Sequence, residues 1–199
     1  MEVNDKLALF DFDGTITKGD TFIPFIKFVK GEFNFWLGII ALSPFIIFYF
    51  FGIISNSVLK RHFIKWYFKG MRYSDLKMSG QRFANEILPG MIRPKAITEI
   101  QELKDQNYTL YIVTASNSFW IAPWSEQFGF NIIATEWEVE DGLITGDYNG
   151  ENCYGEEKRR LVLEHFQLEK YIKIVGYGDT KGDIPMLSLC HKTYFKPFI

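Results

Sequence analysis

Two hydrophobic periods alternate along this chain. Leu7-Ala8-Leu9-Phe10 is a short, continuous apolar run, the pattern of a strand buried on both faces. From Pro94 onward, helical and strand patterns follow one another. Pro94 to Gln106 puts Ile97, Ile100 and Leu103 on one stripe and predicts a helix. Thr109 to Val113 predicts a strand, Ser118 to Phe128 a helix, and Asn131 to Ala134 a short strand. Trp137 to Val139 and Leu143 to Thr145 flank Asp141-Gly142, a two-residue hairpin signal. Gly155 to Gln167 reads as a helix, Ile172 to Tyr177 as a strand, Asp183 to Leu189 as a short helix, and Lys192 to Phe195 as a last edge strand. The alternation predicts an α/β fold with a mostly parallel sheet. In such folds the site gathers beyond the carboxyl ends of the strands.

Composition narrows this only a little. A chain of 199 residues, 47% apolar and 23% charged, suits one core or a core with a small insert. Cys153 and Cys190 form neither a disulfide framework nor a metal spacing. Met1 leads straight into the first strand, so no secretory signal is expected and a reducing, cytoplasmic compartment follows. No nucleic-acid partner is expected of a chain with formal charge −2.

The candidate chemistry begins at Asp11-Phe12-Asp13-Gly14, just after the first strand. Side chains two apart on a strand share a face, so the two carboxylates point the same way where Gly14 lets the chain turn. Such a pair repels unless a cation or a shared proton compensates. A divalent metal would compensate it and make Asp11 a candidate nucleophile. A solvated acidic turn is the ordinary alternative, but three further segments stand in order. Val113-Thr114-Ala115-Ser116 ends a second strand, Lys158 opens a helix after Gly155, and Gly178-Asp179-Thr180-Lys181-Gly182-Asp183 follows a third strand.

Together these four motifs resemble those of the haloacid dehalogenase superfamily of phosphatases, over nearly all of the chain outside about Phe22 to Pro94. The resemblance implies a Rossmann-like core formed by residues 1–15 and 94–199, with a helical cap, 16–93, inserted after the first strand. It implies that Asp11 forms an aspartyl-phosphate and that Asp13 acts as acid and then base, its backbone carbonyl reaching the metal. Thr114 and Ala115 would hold phosphoryl oxygens, and Lys158 would neutralise charge on phosphate and Asp11. Asp179 would complete a Mg²⁺ site with Asp11, Asp183 lying in its outer shell. The alternatives are a solvated lysine among Arg159 and Arg160, and a helix N-cap at Asp183. One departure is Gly182, where most relatives carry Asn; lower metal affinity is expected.

The insert decides the substrate. Asp20 stands where the phosphoserine phosphatase branch carries a Glu that contacts the substrate amine, and its alternative is an N-cap. From Phe33 to Leu59 run 27 residues without a charge, rich in Phe, long enough for a membrane span. One span is excluded, because Asp11 before it and Asp179 after it must meet. Ser43-Pro44 is expected to divide the run into two half-length helices that return the chain to its starting side. Between Thr15 and Arg82 ten basic residues face three acidic ones, a net +7 within a chain of −2. A basic segment around an apolar hairpin suits an anionic membrane surface. The alternative is a cap packed on itself or on a second copy in a homodimer. Asp20-Thr21-Phe22, the long apolar run with its Pro, Cys153-Tyr154-Gly155-Glu156-Glu157-Lys158 and Gly176-Tyr177-Gly178-Asp179 resemble phosphatidylglycerophosphatase of the C type. That resemblance implies a phosphate-ester substrate on a lipid, at the cytoplasmic face of the inner membrane. A soluble phosphatase of the phosphoserine type and a catalytically weak binding protein stand as the other readings.

Overall fold

The computed structural model describes residues 5–199, so the reading of the chain from Met1 falls outside it. Its centre is a five-stranded parallel sheet in the order β3-β2-β1-β6-β7. The strands are β1 Lys6–Phe10, β2 Thr109–Thr114, β3 Asn131–Ala134, β6 Lys173–Gly178 and β7 Lys192–Phe195. Leu7 of β1 lies opposite Thr109 of β2 and Ile174 of β6. The α/β architecture expected from the alternating pattern is therefore present, with β7 on the edge.

The apolar run of β1 explains the layers. Successive side chains leave a strand on opposite faces. Ala8 and Phe10 join one core, while Leu7 and Leu9 join the other. The first core also takes Ala96, Ile100 and Leu103 of helix α5 (Pro94–Asp105). The second takes Val162 of α7 (Glu156–His165) and Met186 and Leu187 of α8 (Ile184–Leu187). Helix α6 spans Ser118–Ser125 and ends in a tighter turn to Phe128. Strands β4 (Glu136–Glu140) and β5 (Leu143–Asn149) form an antiparallel hairpin apart from the main sheet. Asp141 and Gly142 both have positive φ, 50° and 77°, as its two-residue turn requires.

Between β1 and α5 lie four helices: α1 Phe22–Phe50, α2 Asn56–Phe68, α3 Tyr73–Glu86 and α4 Leu88–Met91. Here the structure corrects the sequence reading. The apolar run does not split at Ser43-Pro44. Helix α1 breaks at Gly31, with φ 77° and ψ 158°, and then continues through Pro44 to Phe50. The proline leaves the Ile40 carbonyl without its helical donor, and the Ser43 hydroxyl donates to that carbonyl at 2.8 Å instead. Residues 32–50 make one helical arm of roughly 28 Å, at ~1.5 Å per residue. The chain turns at Gly52 (φ 71°) and α2 returns beside the arm.

The two helices cross closely at Gly38. A Cβ there would lie 2.1 Å from the Tyr67 hydroxyl, which donates to the Phe35 carbonyl at 2.6 Å. Phe35 and Leu42 are buried at this contact, and Phe45 stacks on His62. The far end of the arm is bare, with Phe50 and Phe51 80% and 78% exposed. Among the described residues α1 alone is long and apolar enough to cross a membrane, and 17% of its most apolar window is buried.

Gly38→Ala is expected to lose about 1–3 kcal/mol in urea unfolding, the usual penalty for overpacking. Gly90→Ala, where a Cβ meets nothing within 4 Å, should be neutral or slightly stabilising.

Candidate active site

Three neighbouring strands, β2, β1 and β6, end side by side and deliver Thr114, Asp11 and Asp179 to one edge of the sheet. The Asp11 amide donates to the Tyr177 carbonyl at 2.9 Å, which holds residue 11 one step beyond β1. The chain then turns at Gly14 (φ 81°). A Cβ on Gly14 would meet an Asp179 carboxylate oxygen at 2.4 Å, so both the conformation and the space call for glycine. Below the turn the Thr15 hydroxyl lies 3.0 Å from Asp11 Oδ2 and 3.2 Å from Asp179 Oδ1.

Lys158 comes from the first turn of α7, after Gly155. Its Nζ donates to Asp11 Oδ1 at 2.5 Å and to Asp183 Oδ1 at 2.7 Å, with all three side chains buried. The other oxygen of Asp183 accepts the amides of Asp179 and Thr180 and the Thr180 hydroxyl. Both of its oxygens are thus engaged by protein donors. Carboxylate oxygens of Asp11, Asp179 and Asp183 lie within 4.8 Å of one another.

The electrostatics follow from this packing. Burial drives the Asp11 carboxyl up to about 7, more than the facing Lys158 can offset. Burial also raises Asp179, with Asp183 adding to the effect. Burial opposes the Lys158 ammonium, yet Asp11 and Asp183 outweigh it and hold its titration above the ordinary lysine value. For Asp183 burial opposes the charge, but Lys158 and the Thr180 donors prevail and keep it below the usual carboxylate range. Negative charge is thus undercompensated at Asp11 and Asp179. Asp179 Oδ2 accepts no hydrogen bond among the described residues. An all-oxygen, anionic donor set with spare capacity fits a hard divalent cation.

The Asp13 side chain lies apart from that trio. Its Oδ1 accepts the Thr21 amide and hydroxyl at 2.7 and 2.6 Å, and its Oδ2 accepts the Ser116 hydroxyl at 2.5 Å. Trp120 Nε1 donates in turn to the Thr21 hydroxyl at 3.0 Å. Burial raises Asp13, the neighbouring Asp20 adds to this, and the Ser116 and Thr21 donors oppose it. Thr114 is buried; its hydroxyl oxygen accepts the Ser116 amide at 3.1 Å, and Ala115 rather than Thr114 lines the cavity. Asp20 is exposed, and its Oδ1 accepts the Phe22 and Ile23 amides, so it caps the first turn of α1 while also lining the cavity.

That cavity, about 540 Å³, opens over Asp11, Asp179 and Lys158. Phe22, Ile23, Leu59 and Phe63 give it an apolar side, and Lys18, Lys60 and Arg93 add cations. Sequence reasoning placed Lys60 only among basic residues of the insert. In the structure its Nζ donates to the Ala115 carbonyl at 2.7 Å, and burial lowers its titration. Thr21 and Ser116 were likewise missed as partners of Asp13. Both lie within quoted motifs, so their proximity to Thr114 and Asp20 was the available signal.

The model of the haloacid dehalogenase-like hydrolases matches residues 8–188. The chain belongs to that family. Protein CicA of Caulobacter vibrioides is 30% identical over 194 residues, covering 96% of this chain and 86% of the relative. A histidinol-phosphatase of Neisseria meningitidis is 31% identical over 130 residues, 59% of this chain and 57% of that one. A substrate-bound phosphoserine phosphatase complex shares the fold, with a TM-score of 0.65 at 21% identity over 96% of this chain and 85% of that one. The chain is accordingly a haloacid dehalogenase-like hydrolase whose neighbours include phosphoserine phosphatases in fold and a histidinol-phosphatase over part of its length.

The pH behaviour of this hydrolase has a definite sign. A carboxyl raised to about 7 keeps its proton in the folded state after the unfolded chain has lost it. Stability of the metal-free protein should therefore fall as pH rises from about 4 to about 7, and level off above. Urea unfolding at pH 5.5 and 8 is expected to show this loss, and Asp11→Asn should reduce it.

Proposed function

We propose that the chain is a Mg²⁺-dependent phosphomonoesterase that dephosphorylates an anionic lipid phosphate at a membrane surface, with phosphatidylglycerophosphate as the candidate substrate. The observation that carries the chemistry is Asp11, buried and held by Lys158 and Thr15 at the floor of an open cavity. Asp11, Asp179 and the backbone of Asp13 would hold the cation, with Asp183 bracing Lys158 and the Asp179 amide. When bound, the cation supplies charge neutralisation for the phosphoryl oxygens.

The residues then divide the work. One Asp11 oxygen forms a bond to phosphorus as the bond from phosphorus to the alcohol oxygen breaks. Asp13, raised by burial and so able to carry a proton, gives that proton to the departing oxygen. Asp13 next takes a proton from water, whose oxygen bonds phosphorus and frees Asp11. Lys158, at 2.5 Å from Asp11, offsets charge on the carboxylate and on the phosphoryl group. The Ala115 amide serves a remaining phosphoryl oxygen, with Thr114 buried behind it and outside the cavity lining.

The lipid assignment rests on the arm of α1 and α2. Phe33, Trp36, Ile40, Ile47, Phe50 and Phe51 are exposed on it, a surface that a soluble monomer rarely shows. Lys27, Lys30, Lys65 and Lys69 stand nearer its base. Apolar tip and basic base suit peripheral insertion into an anionic leaflet. A cytoplasmic-face location fits the two unpaired cysteines. Asp20 and the modest cavity favour a second reading, a soluble small-molecule phosphatase. Phosphate release from phosphatidylglycerophosphate vesicles separates the two: turnover of soluble esters alone would defeat the lipid assignment.

Asp11→Asn should lower kcat by on the order of 10³-fold or more, and a chelator should do the same in the native chain. Undiminished turnover in the chelator would remove the cation from the proposal. In a separate assay, Phe50→Asp with Phe51→Asp should cut vesicle hydrolysis at least ~10-fold while changing hydrolysis of a soluble ester less than ~2-fold. Equal losses on both substrates would make the arm purely structural.

A further inference from the structure

Gly182 sits beside the carboxylate cluster, and its backbone does not need glycine. Residues Lys181–Asp183 form a single tight helical turn, and Gly182 has no positive φ. Space is the obstacle. A Cβ on residue 182 would lie 2.2, 2.5 and 2.8 Å from the Cε2, Cζ and Cδ2 atoms of the Tyr154 ring. The ring therefore occupies the place where a side chain at 182 would stand. Tyr154 also lines the cavity, in company with Lys158, Asp179, Thr180 and Asp183.

The loop that carries the ring is fastened on several sides. The Gly155 amide donates to the Gly182 carbonyl at 3.1 Å, tying the two loops together. The Cys153 amide donates to Thr135 Oγ1 at 2.8 Å. Asn152 Nδ2 donates to Ser57 Oγ at 2.7 Å, at the start of α2. The ring, 43% exposed, thus stands at the cavity on a loop bonded to the helical insert and to Gly182, and that loop leads directly into Lys158. An aromatic side chain presents a broad apolar face with few rotatable bonds, well suited to a fixed wall.

We infer that Tyr154 is a substrate-positioning and specificity-determining residue: its ring forms the wall beside the phosphoryl group and contacts the alcohol portion of the ester, in space that Gly182 leaves open. The inference rests on the phosphomonoesterase reading. Its consequence is mutual exclusion, in which positions 154 and 182 cannot both carry large side chains in this geometry.

The experiment uses the full chain with Mg²⁺ and the variants Tyr154→Phe, Tyr154→Ala, Gly182→Asn and the double variant Gly182→Asn/Tyr154→Ala. The first readout is the thermal unfolding midpoint, which does not depend on turnover. Gly182→Asn should lower it in the native background and lower it far less beside Tyr154→Ala; equal shifts in both backgrounds overturn the exclusion. The second is binding of an alkyl phosphonate, an unhydrolysable stand-in for the ester, by calorimetry. Tyr154→Ala should weaken it about tenfold and Tyr154→Phe less than about twofold. The third is hydrolysis of a soluble aryl phosphate, where Tyr154→Ala should raise KM about tenfold with kcat within about twofold. An unchanged KM and phosphonate affinity in folded Tyr154→Ala overturns the positioning role. Phosphonate binding without any turnover in the native chain would count against the phosphatase reading and leave the wall standing.

Discussion

A lysine ammonium buried between two carboxylates governs the rest of this structure. Lys158 reaches Asp11 across 147 residues of chain and Asp183 across 25. Taking such charges out of water costs several kcal/mol per ion, and mutual attraction recovers this only when the geometry is good and the remaining lone pairs are filled. Both conditions hold. Asp183 receives three further donors on its second oxygen, and Asp11 receives Thr15. The arrangement is meaningful only once β1, β6 and the start of α7 have all assembled. The burial of Lys158 thus depends on completing the sheet, and the Asp11 carboxyl it faces is held in one place before any substrate arrives.

Particular residues show how far this was legible in the sequence. The apolar run of β1 gave a strand buried on both faces, because a central parallel strand has no solvent side and needs no alternation. Asp141-Gly142 gave its hairpin, because two positive φ values in succession admit few residue pairs. Asp11, Asp179 and Lys158 were readable from position, each following a strand or opening a helix. The break in α1 was not. Pro44 is the stronger helix breaker by propensity, yet a neighbouring serine supplies the missing hydrogen bond, while Gly31 bends the chain with no proline nearby. Local rules see the proline but not the rescue. Lys60, Thr21 and Ser116 escaped for a related reason. Their partners lie 55, 8 and 103 residues away, and no local pattern encodes such distances. Thr114 was read as a phosphate ligand from its motif. Its place behind Ala115 depends on how β2 ends against Ser116.

The aromatic excess of the insert has two different fates. Close to the sheet, Phe25, Phe68 and Phe83 pack with Trp120 and Trp137 in a continuous ring cluster. That cluster holds Trp120 in position to donate to Thr21, and through Thr21 it reaches Asp13. Packing in the insert is thereby coupled to the orientation of the Asp13 carboxyl. Later on α1 and in the turn after it the same residue types lack partners, and the rings at Phe50 and Phe51 face solvent. Residue type alone could not separate these fates, since both groups are aromatic.

The attachment of the insert decides what an encounter at its tip can transmit. Helix α2 is bonded to the core near its start, through Ser57 to Asn152 and Tyr148 and through Lys60 to the Ala115 carbonyl. Helix α1 is bonded at its own start, through Asp20, Thr21 and Asp13. Farther along, the helices meet at the tight crossing of Gly38 and Tyr67, which leaves little freedom to slide. Because Ser57 and Lys60 follow closely on the turn at Gly52, the turn end of the hairpin is itself held to the core, and the hairpin is fixed along its length rather than tethered. In the lipid reading, docking of the tip would set the orientation of the cavity relative to the leaflet without disturbing Asp11. The cations Lys18, Lys60 and Arg93 would then meet a phosphate group presented from the bilayer, while Phe22 and Phe63 accept its apolar remainder. The division of labour between a rigid anionic floor and an apolar, cationic wall follows from the strand ends supplying the first and the insert the second.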